Sequence, residues 1–172
     1  MTQLRILISH SGKITIEPSP TPPVPLSNLF PTSLDAPATN TIQPWRIILD
    51  NQRTISTPYT RHKTIFRDPY TNARSRSGIP SFACPVEVIL YSPSGEITEG
   101  SLTSVYFSRR GRWVTPPVKS GGNQGTTRRW ALERGLCEEG IVRVEEVCDG
   151  EGVWVSNGVR GFIWGIVSLK RE

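Results

Sequence analysis

The sequence predicts a mixed α+β fold in which strands outnumber helices. Three observations carry that reading. Short β-rich runs separated by turn residues recur along the chain, and only two stretches have sustained helix composition. The strands also come in hairpins rather than alternating with helices, which argues against a doubly wound parallel sheet. A length of 172 residues fits about one domain.

Taken in order, Leu4 to Ser9 and Lys13 to Glu17 read as two strands around a Ser11-Gly12 turn. Residues 18 to 44 hold Pro18, Pro20, Pro22, Pro23, Pro25, Pro31, Pro37 and Pro44. Proline removes the backbone donor, so this stretch reads as an extended loop or linker wrapped on the surface, not as a helix or central strand. Trp45 to Asp50 is a compact apolar strand. Pro69 to Arg76 forms a helix, with proline in its tolerated first turn and Gly78 and Pro80 ending it. Val86 to Tyr91 is a strand, Ser92-Pro93-Ser94-Gly95 a turn, and Glu96 to Thr98 the return. Ser104 to Ser108 and Arg112 to Thr115 flank Arg109-Arg110-Gly111 as a second hairpin. Thr127 to Cys137 is helical, and Ile141 to Val147, Gly152 to Ser156 and Phe162 to Leu169 finish as strands.

Composition narrows the function classes. The net charge is +5, but the basic residues are scattered apart from Arg109-Arg110, Arg128-Arg129 and Lys170-Arg171. A nucleic-acid binder presents a denser basic face, so a small anionic ligand is the better expectation. Cys84, Cys137 and Cys148 are odd in number and lack CxxC spacing, which argues for free thiols in a reducing compartment. With only His10 and His62, no metal site is expected. No apolar run approaches the ~18 residues of a membrane span, and no signal pattern opens the chain, so a cytoplasmic protein is expected.

Four places could carry chemistry. Gly121 to Thr127 opens a helix with glycines and hydroxyls, a composition suited to an anion at free backbone N–H groups. Ser156-Asn157-Gly158, after a strand, is a second cradle of the same kind. Lys63 lies among Arg61, His62 and Arg67, after a strand and before a helix, the kind of place a Schiff-base lysine needs, with burial or a nearby cation. Glu99, between Thr98 and Gly100-Ser101, could face a pyridine nitrogen and keep it protonated. Each taken singly is common: a solvated loop lysine, a turn carboxylate, a glycine-rich loop.

Their order is less common. His62-Lys63-Thr64, a helix with Tyr70 and Ala73-Arg74, Gly95 to Ser101, Thr115-Pro116-Pro117, Gly125-Thr126-Thr127-Arg128 and Ser156 to Gly161 follow one another. This series resembles the class IV pyridoxal-phosphate enzymes, the group of D-amino-acid and branched-chain aminotransferases, over about residues 59 to 168. The nearest branch looks like the aminodeoxychorismate lyases. The resemblance implies a D-amino-acid aminotransferase-like large domain, a strand-rich pseudo-barrel with few helices. It implies pyridoxal 5'-phosphate as cofactor, with Lys63 as the Schiff-base lysine that also shuttles the proton and Glu99 as partner of the ring nitrogen. Thr126 and Thr127 would bind the phosphate, and Asn157 and Gly158 would line the other side of the phosphate or cofactor.

By the same resemblance the substrate is a small molecule, either aminodeoxychorismate-like, losing pyruvate to give 4-aminobenzoate in folate biosynthesis, or an amino acid. The expected assembly is a cytoplasmic homodimer. The domain reading is residues 1–58 as hairpin, linker and lead-in strand and residues 59–172 as the cofactor domain, with nothing in 1–58 matching the family's small N-terminal domain. Other departures are Ser104 in place of asparagine, Thr126 in place of Val or Ile, and a short segment between Glu146 and Gly152. A degenerate relative serving as a binding or assembly module, or a truncated gene product, are the competing expectations.

Overall fold

The computed structural model describes residues 1–37 and 43–169. Among these residues, ten strands build two sheets. Strands β1 (Thr2–Ile8) and β2 (Ile14–Pro20) pair only with each other, in antiparallel register with Ile6 opposite Ile16 and Ile8 opposite Ile14. Eight strands form the second sheet in the order β5-β4-β3-β10-β9-β6-β7-β8. They are β3 (Trp45–Leu49), β4 (Val86–Tyr91), β5 (Ile97–Gly100), β6 (Ser104–Arg109), β7 (Arg112–Thr115), the two-residue β8 (Glu138–Glu139), β9 (Gly152–Asn157) and β10 (Gly161–Ser168). Strand β3 runs parallel to both β4 and β10, and the remaining ladders are antiparallel except β7 with β8. The mixed, strand-rich α+β class follows as expected.

The large sheet is curled, and both of its faces are covered. Alternation along β6 sends Val105 and Phe107 into one buried cluster with Ile47, Ile89, Ile97, Val153 and Val155. Tyr106 points the other way, to Phe162 and Ala131. Along β4, Ile89 joins the first cluster, while Val88 and Leu90 pack against Tyr70 and Ala73 of helix α3 (Asp68–Arg76). A strand covered on both faces reads as a continuous apolar run, which is why VIL at 88–90 stands out in the sequence. The β6–β7 hairpin closes through Arg110 (φ 51°) and Gly111 (φ 76°). Two left-handed residues in a two-residue loop match the twist of the flanking strands.

Four expectations need correction. The proline-rich stretch is not free of regular structure: β2 runs on to Pro20, and a short helix α1 (Leu26–Leu29) follows. Prolines are tolerated in β2 because it lies in a two-stranded sheet, where each strand has an unpaired edge. The stretch also packs as a strap on the large sheet. Leu34 is buried with Phe162 and Ala131, and the Leu34 carbonyl accepts the Trp154 indole N–H at 2.8 Å. Residues 38–42 of that stretch, and the Lys170-Arg171 pair, lie outside the described residues.

The strand expected over Ile141 to Val147 is a 3₁₀ turn at Val144–Glu146, entered by one isolated bridge between Glu96 and Arg143. The Glu146 side chain reaches back to the Arg143 N–H at 2.9 Å and turns the backbone inward. Helix α4 (Thr126–Glu133) begins one residue before the expected span and stops short of Cys137. Gly135, at φ 67°, allows the Leu136 N–H to bond the Ala131 carbonyl and the Gly135 N–H to bond the Leu132 carbonyl, a Schellman stop. A further helix, α2 (Pro58–Arg61), has no counterpart among the expected elements. Thr57 caps it, with the Thr60 hydroxyl accepting from the Thr57 N–H and Pro58 in the first turn.

The strap sets a test of the fold. Gly161 adopts φ 67°, and a Cβ there would collide with the Asn28 carbonyl in the strap. Gly161→Ala is expected to cost about 2–4 kcal/mol in urea unfolding, strain and overpacking acting together. Residues 26–37 should become protease-sensitive in the same variant.

Candidate active site

The site is organised by one buried carboxylate, Glu87, at the start of β4. Its Oε1 accepts the Val88 N–H, the Ser101 N–H and the Ser101 hydroxyl, and its Oε2 accepts the Leu102 N–H and the Thr103 hydroxyl. Arg74 of α3 lies 3.7 Å from Oε1. A buried charge is tolerated only when it is paired and hydrogen-bonded to this degree. The result is a rigid turn over Gly100–Thr103. Gly100 is required there, since a Cβ would meet the Thr103 hydroxyl and the Glu87 side chain.

Glu99, the residue before that turn, is buried. Its Oε1 accepts the Tyr70 hydroxyl at 2.6 Å, and the Asn123 backbone N–H also supports it. Burial outweighs these bonds and the charge of Arg67, pushing the Glu99 carboxyl up to about 7. Gly122 lets the glycine-rich loop pass against Glu99: a Cβ there would sit 2.7 Å from the Thr98 carbonyl oxygen. A narrow cavity lined by Glu99, Ser104, Thr115, Asn123 and Arg128 lies between β5 and the start of α4. Thr115 Oγ1 is the buried side-chain oxygen without a partner among the described residues.

The start of α4 and the end of β9 carry hydroxyls. Gly125 caps α4 without a side-chain bond, leaving first-turn N–H groups open to a ligand. The Ser156 hydroxyl donates to Thr127 Oγ1 at 2.9 Å, and Tyr106 Oη lies 2.8 Å from Ser156 Oγ. Because Ser156 uses its proton on Thr127, Tyr106 donates to Ser156, and the Thr127 hydroxyl also acts on Tyr106. Asn157 works on the backbone: its Oδ1 accepts the Val159 and Arg160 N–H groups at 3.0 and 2.9 Å. The turn so formed brings Gly158 alongside Thr126, 3.6 Å from Gly158's would-be Cβ to the Thr126 hydroxyl.

Thr126, Thr127, Asn157 and Gly158 thus gather where the start of α4 meets the end of β9, while Glu99 lines the cavity that reaches the first turn of α4 at Arg128. Lys63 is exposed and stands outside the buried set, on the segment between α2 and α3. That segment is tied to Glu99 indirectly: the Tyr70 hydroxyl lies 3.2 Å from the Thr60 carbonyl oxygen, three residues before Lys63. Arg67 stacks on the Tyr70 ring at 4.6 Å and donates to the Ser101 carbonyl. The sequence alone assigns no role to Glu87, marks Tyr70 and Arg74 only as parts of a motif, and includes Asn123 and Ser156 only as members of the two candidate anion cradles. A signal for Glu87 is nonetheless present, because a carboxylate inside the apolar run Val86 to Tyr91 requires buried partners.

The donor set fits pyridoxal phosphate. A near-neutral buried carboxylate suits a ring nitrogen that must hold a proton, and open helix N–H groups with the Thr127 hydroxyl suit a phosphate.

Glu99 also makes folding pH-dependent in a defined direction. Its folded pKa is raised from 4.5 to about 7. Its contribution to stability is therefore fully present below about 4.5 and is lost as pH rises towards 7. The full loss is on the order of 3 kcal/mol. Glu99→Gln should remove that part of the slope, so unfolding free energies of the two proteins, measured from pH 4 to pH 8 without added cofactor, should converge at low pH and diverge above it.

Comparison with known proteins places these features in a family. The amino-transferase class IV profile matches residues 2–168. The aminodeoxychorismate lyase of Saccharomyces cerevisiae is 30% identical over 195 aligned residues, covering 98% of this chain and 52% of its own length. A putative aminodeoxychorismate lyase of Schizosaccharomyces pombe is 28% identical over 177 aligned residues, with 100% and 69% covered. The chain therefore spans about half the length of the first of these relatives. A crystal structure of a putative amino-acid aminotransferase from Mesorhizobium loti superposes with a TM-score of 0.76 at 27% identity, over 96% of this chain and 72% of the other. With the profile running almost end to end through the strand, helix and turn that carry Glu99, Thr127 and Gly158, this chain belongs to the amino-transferase class IV family.

Proposed function

We propose that the chain binds pyridoxal 5'-phosphate and acts on the amino group of a small, amino-acid-like molecule, in the manner of an aminodeoxychorismate lyase. The observation that carries this reading is the buried Glu99 carboxylate, held by Tyr70 and lining a cavity that reaches the first turn of α4. Bound pyridoxal phosphate supplies an electron sink for the bond broken beside the substrate nitrogen.

The chain's own residues divide the remaining work. Lys63 is the amine that would hold the cofactor and pass the proton. Ionised Glu99 would keep the ring nitrogen protonated, and that positive nitrogen would in turn hold Glu99 ionised despite its burial. Thr126, Thr127 and the first N–H groups of α4 would take the phosphate, with Asn157 shaping the turn that sets Gly158 beside it. The yeast relatives support the lyase, releasing pyruvate and leaving 4-aminobenzoate, and the Mesorhizobium loti structure supports a second reading as an aminotransferase.

In this reading residues 59–172 form the cofactor-binding domain, residues 1–58 lead into it, and the protein acts as a homodimer in the cytoplasm. The hairpin supports association: Leu4, Ile6, Ile8, Ile14 and Ile16 lie on one of its faces and are all more than half exposed. Among the described residues no helix is long and apolar enough to cross a membrane.

Protein mixed with pyridoxal phosphate should show a visible absorption band displaced from that of the free cofactor. Borohydride should then fix a mass adduct that maps to Lys63, and Lys63→Ala should lose both. Thr127→Val should weaken cofactor binding by about 10- to 100-fold, the worth of one hydrogen bond to a charged group. Protein that stays colourless, or an adduct on another lysine, overturns the reading. Incubation with aminodeoxychorismate or with an amino acid and a keto acid, followed by product analysis, separates lyase from aminotransferase.

A further inference from the structure

We propose that Tyr70 is a positioning residue whose single hydroxyl proton couples the charge on Glu99 to the backbone leading to Lys63. Proton count sets the constraint. Tyr70 Oη lies 2.6 Å from Glu99 Oε1 and 3.2 Å from the Thr60 carbonyl oxygen, and both of these are acceptors when Glu99 is ionised. A phenol has one proton to give. Ionised Glu99, closer and charged, takes it, and the Thr60 carbonyl goes without. When Glu99 carries its own proton it can donate to Tyr70 Oη, and the Tyr70 proton is released to turn onto Thr60. The same hydroxyl thus serves Glu99 in one charge state and the end of α2 in the other.

The surroundings make this a built feature. Tyr70 and Glu99 are both buried, so water does not compete for the proton. The Tyr70 ring is fixed by Arg67 above it and by packing against Val88 and Leu90. Thr60 is itself anchored, its hydroxyl bonding the Thr57 and Gly121 carbonyls at 3.0 and 3.1 Å. The other groups acting on Glu99 are the Arg67 charge and the Asn123 N–H, which favour the ionised form, and the Glu87 charge, which opposes it. None of these can deliver a proton to Thr60. The proposal rests on reading Glu99 as the partner of the cofactor's ring nitrogen, because only then does the charge on Glu99 report cofactor occupancy to the Lys63 segment.

The test needs no cofactor and no turnover. The full chain, labelled with ¹³C at glutamate carboxyls and at backbone carbonyls, is titrated by NMR, with the Glu99 signal assigned by its loss in Glu99→Gln. Tyr70→Phe should move the Glu99 midpoint upward by roughly one to two pH units, the worth of one hydrogen bond to a charged group. The Thr60 carbonyl shift should follow the Glu99 titration in the native chain and become pH-independent in Tyr70→Phe. Difluorotyrosine incorporated at position 70 keeps the ring and strengthens the donor, so it should lower the midpoint. It also keeps the test open if Tyr70→Phe does not fold. A purely structural Tyr70 would lower the melting temperature on substitution and leave the Glu99 midpoint and the Thr60 shift unmoved, which overturns the proposal. If the midpoint and the Thr60 shift move as stated but pyridoxal phosphate produces no band, the coupling stands and the proposed function fails. If pyridoxal phosphate produces a band but the midpoint does not move, the coupling fails and the proposed function stands.

Discussion

The site hangs on the Glu87 carboxylate. Placing a charge inside a sheet costs several kcal/mol unless its oxygens are filled. Here five donors from residues 88 and 101–103, and Arg74 beyond them, fill them. Hydrogen bonds to a charge contribute about 1.5–3 kcal/mol each, so the turn after Glu99 has little freedom to move. Ser101, fixed by that turn, then serves as an anchor for α3: its carbonyl takes Arg67 and its hydroxyl takes Arg74 at 3.0 Å. Helix α3 in turn presents Tyr70. One buried carboxylate therefore sets the place of a second, and the second faces the cavity.

Glu99 and the start of α4 use opposite chemistry for a physical reason. Glu99 sits behind apolar strands and a glycine-rich loop, where low polarity raises its affinity for a proton. Thr127 and the start of α4 present N–H and O–H donors, which suit negative charge. A ligand with a basic nitrogen at one end and a phosphate at the other matches that polarity in only one direction. The buried Arg128 supports the arrangement from below by bonding the Pro116 carbonyl and Glu139, holding α4 to the β7–β8 edge.

Features set by neighbouring residues were legible in the sequence. Arg110-Gly111 announced its turn, the apolar run at 86–91 its strand, and Gly125 to Arg128 the opening of a helix with hydroxyls at its mouth. Features set by distant residues were not. Ile141 to Val147 is rich in β-branched residues, as a strand would be, yet the bond from Glu146 to Arg143 curls it into a 3₁₀ turn. Proline content hid the packing of Leu34, because burial there depends on Phe162 and Trp154, more than a hundred residues away. The site shows the same division. The candidate residues could be named from local motifs. The Tyr70–Glu99 contact and the hydroxyl chain from Tyr106 to Thr127 join strands and helices that only the tertiary fold brings together.

The strand order has a consequence for how the site comes into being. Strand β10 comes last among the described strands, yet it lies in the middle of the large sheet, between β3 and β9. Without it the ladder falls into two pieces, β5-β4-β3 and β9-β6-β7-β8. Glu99 belongs to the first piece; Ser156, which holds Thr127, belongs to the second. On a ribosome the chain emerges from its N-terminus, so both pieces are made before the seam that joins them. The pocket is thus assembled only once β10 has been made. Until residues 161–168 have left the exit tunnel, the acid and the anion cradle have no hydrogen-bonded sheet holding them in register.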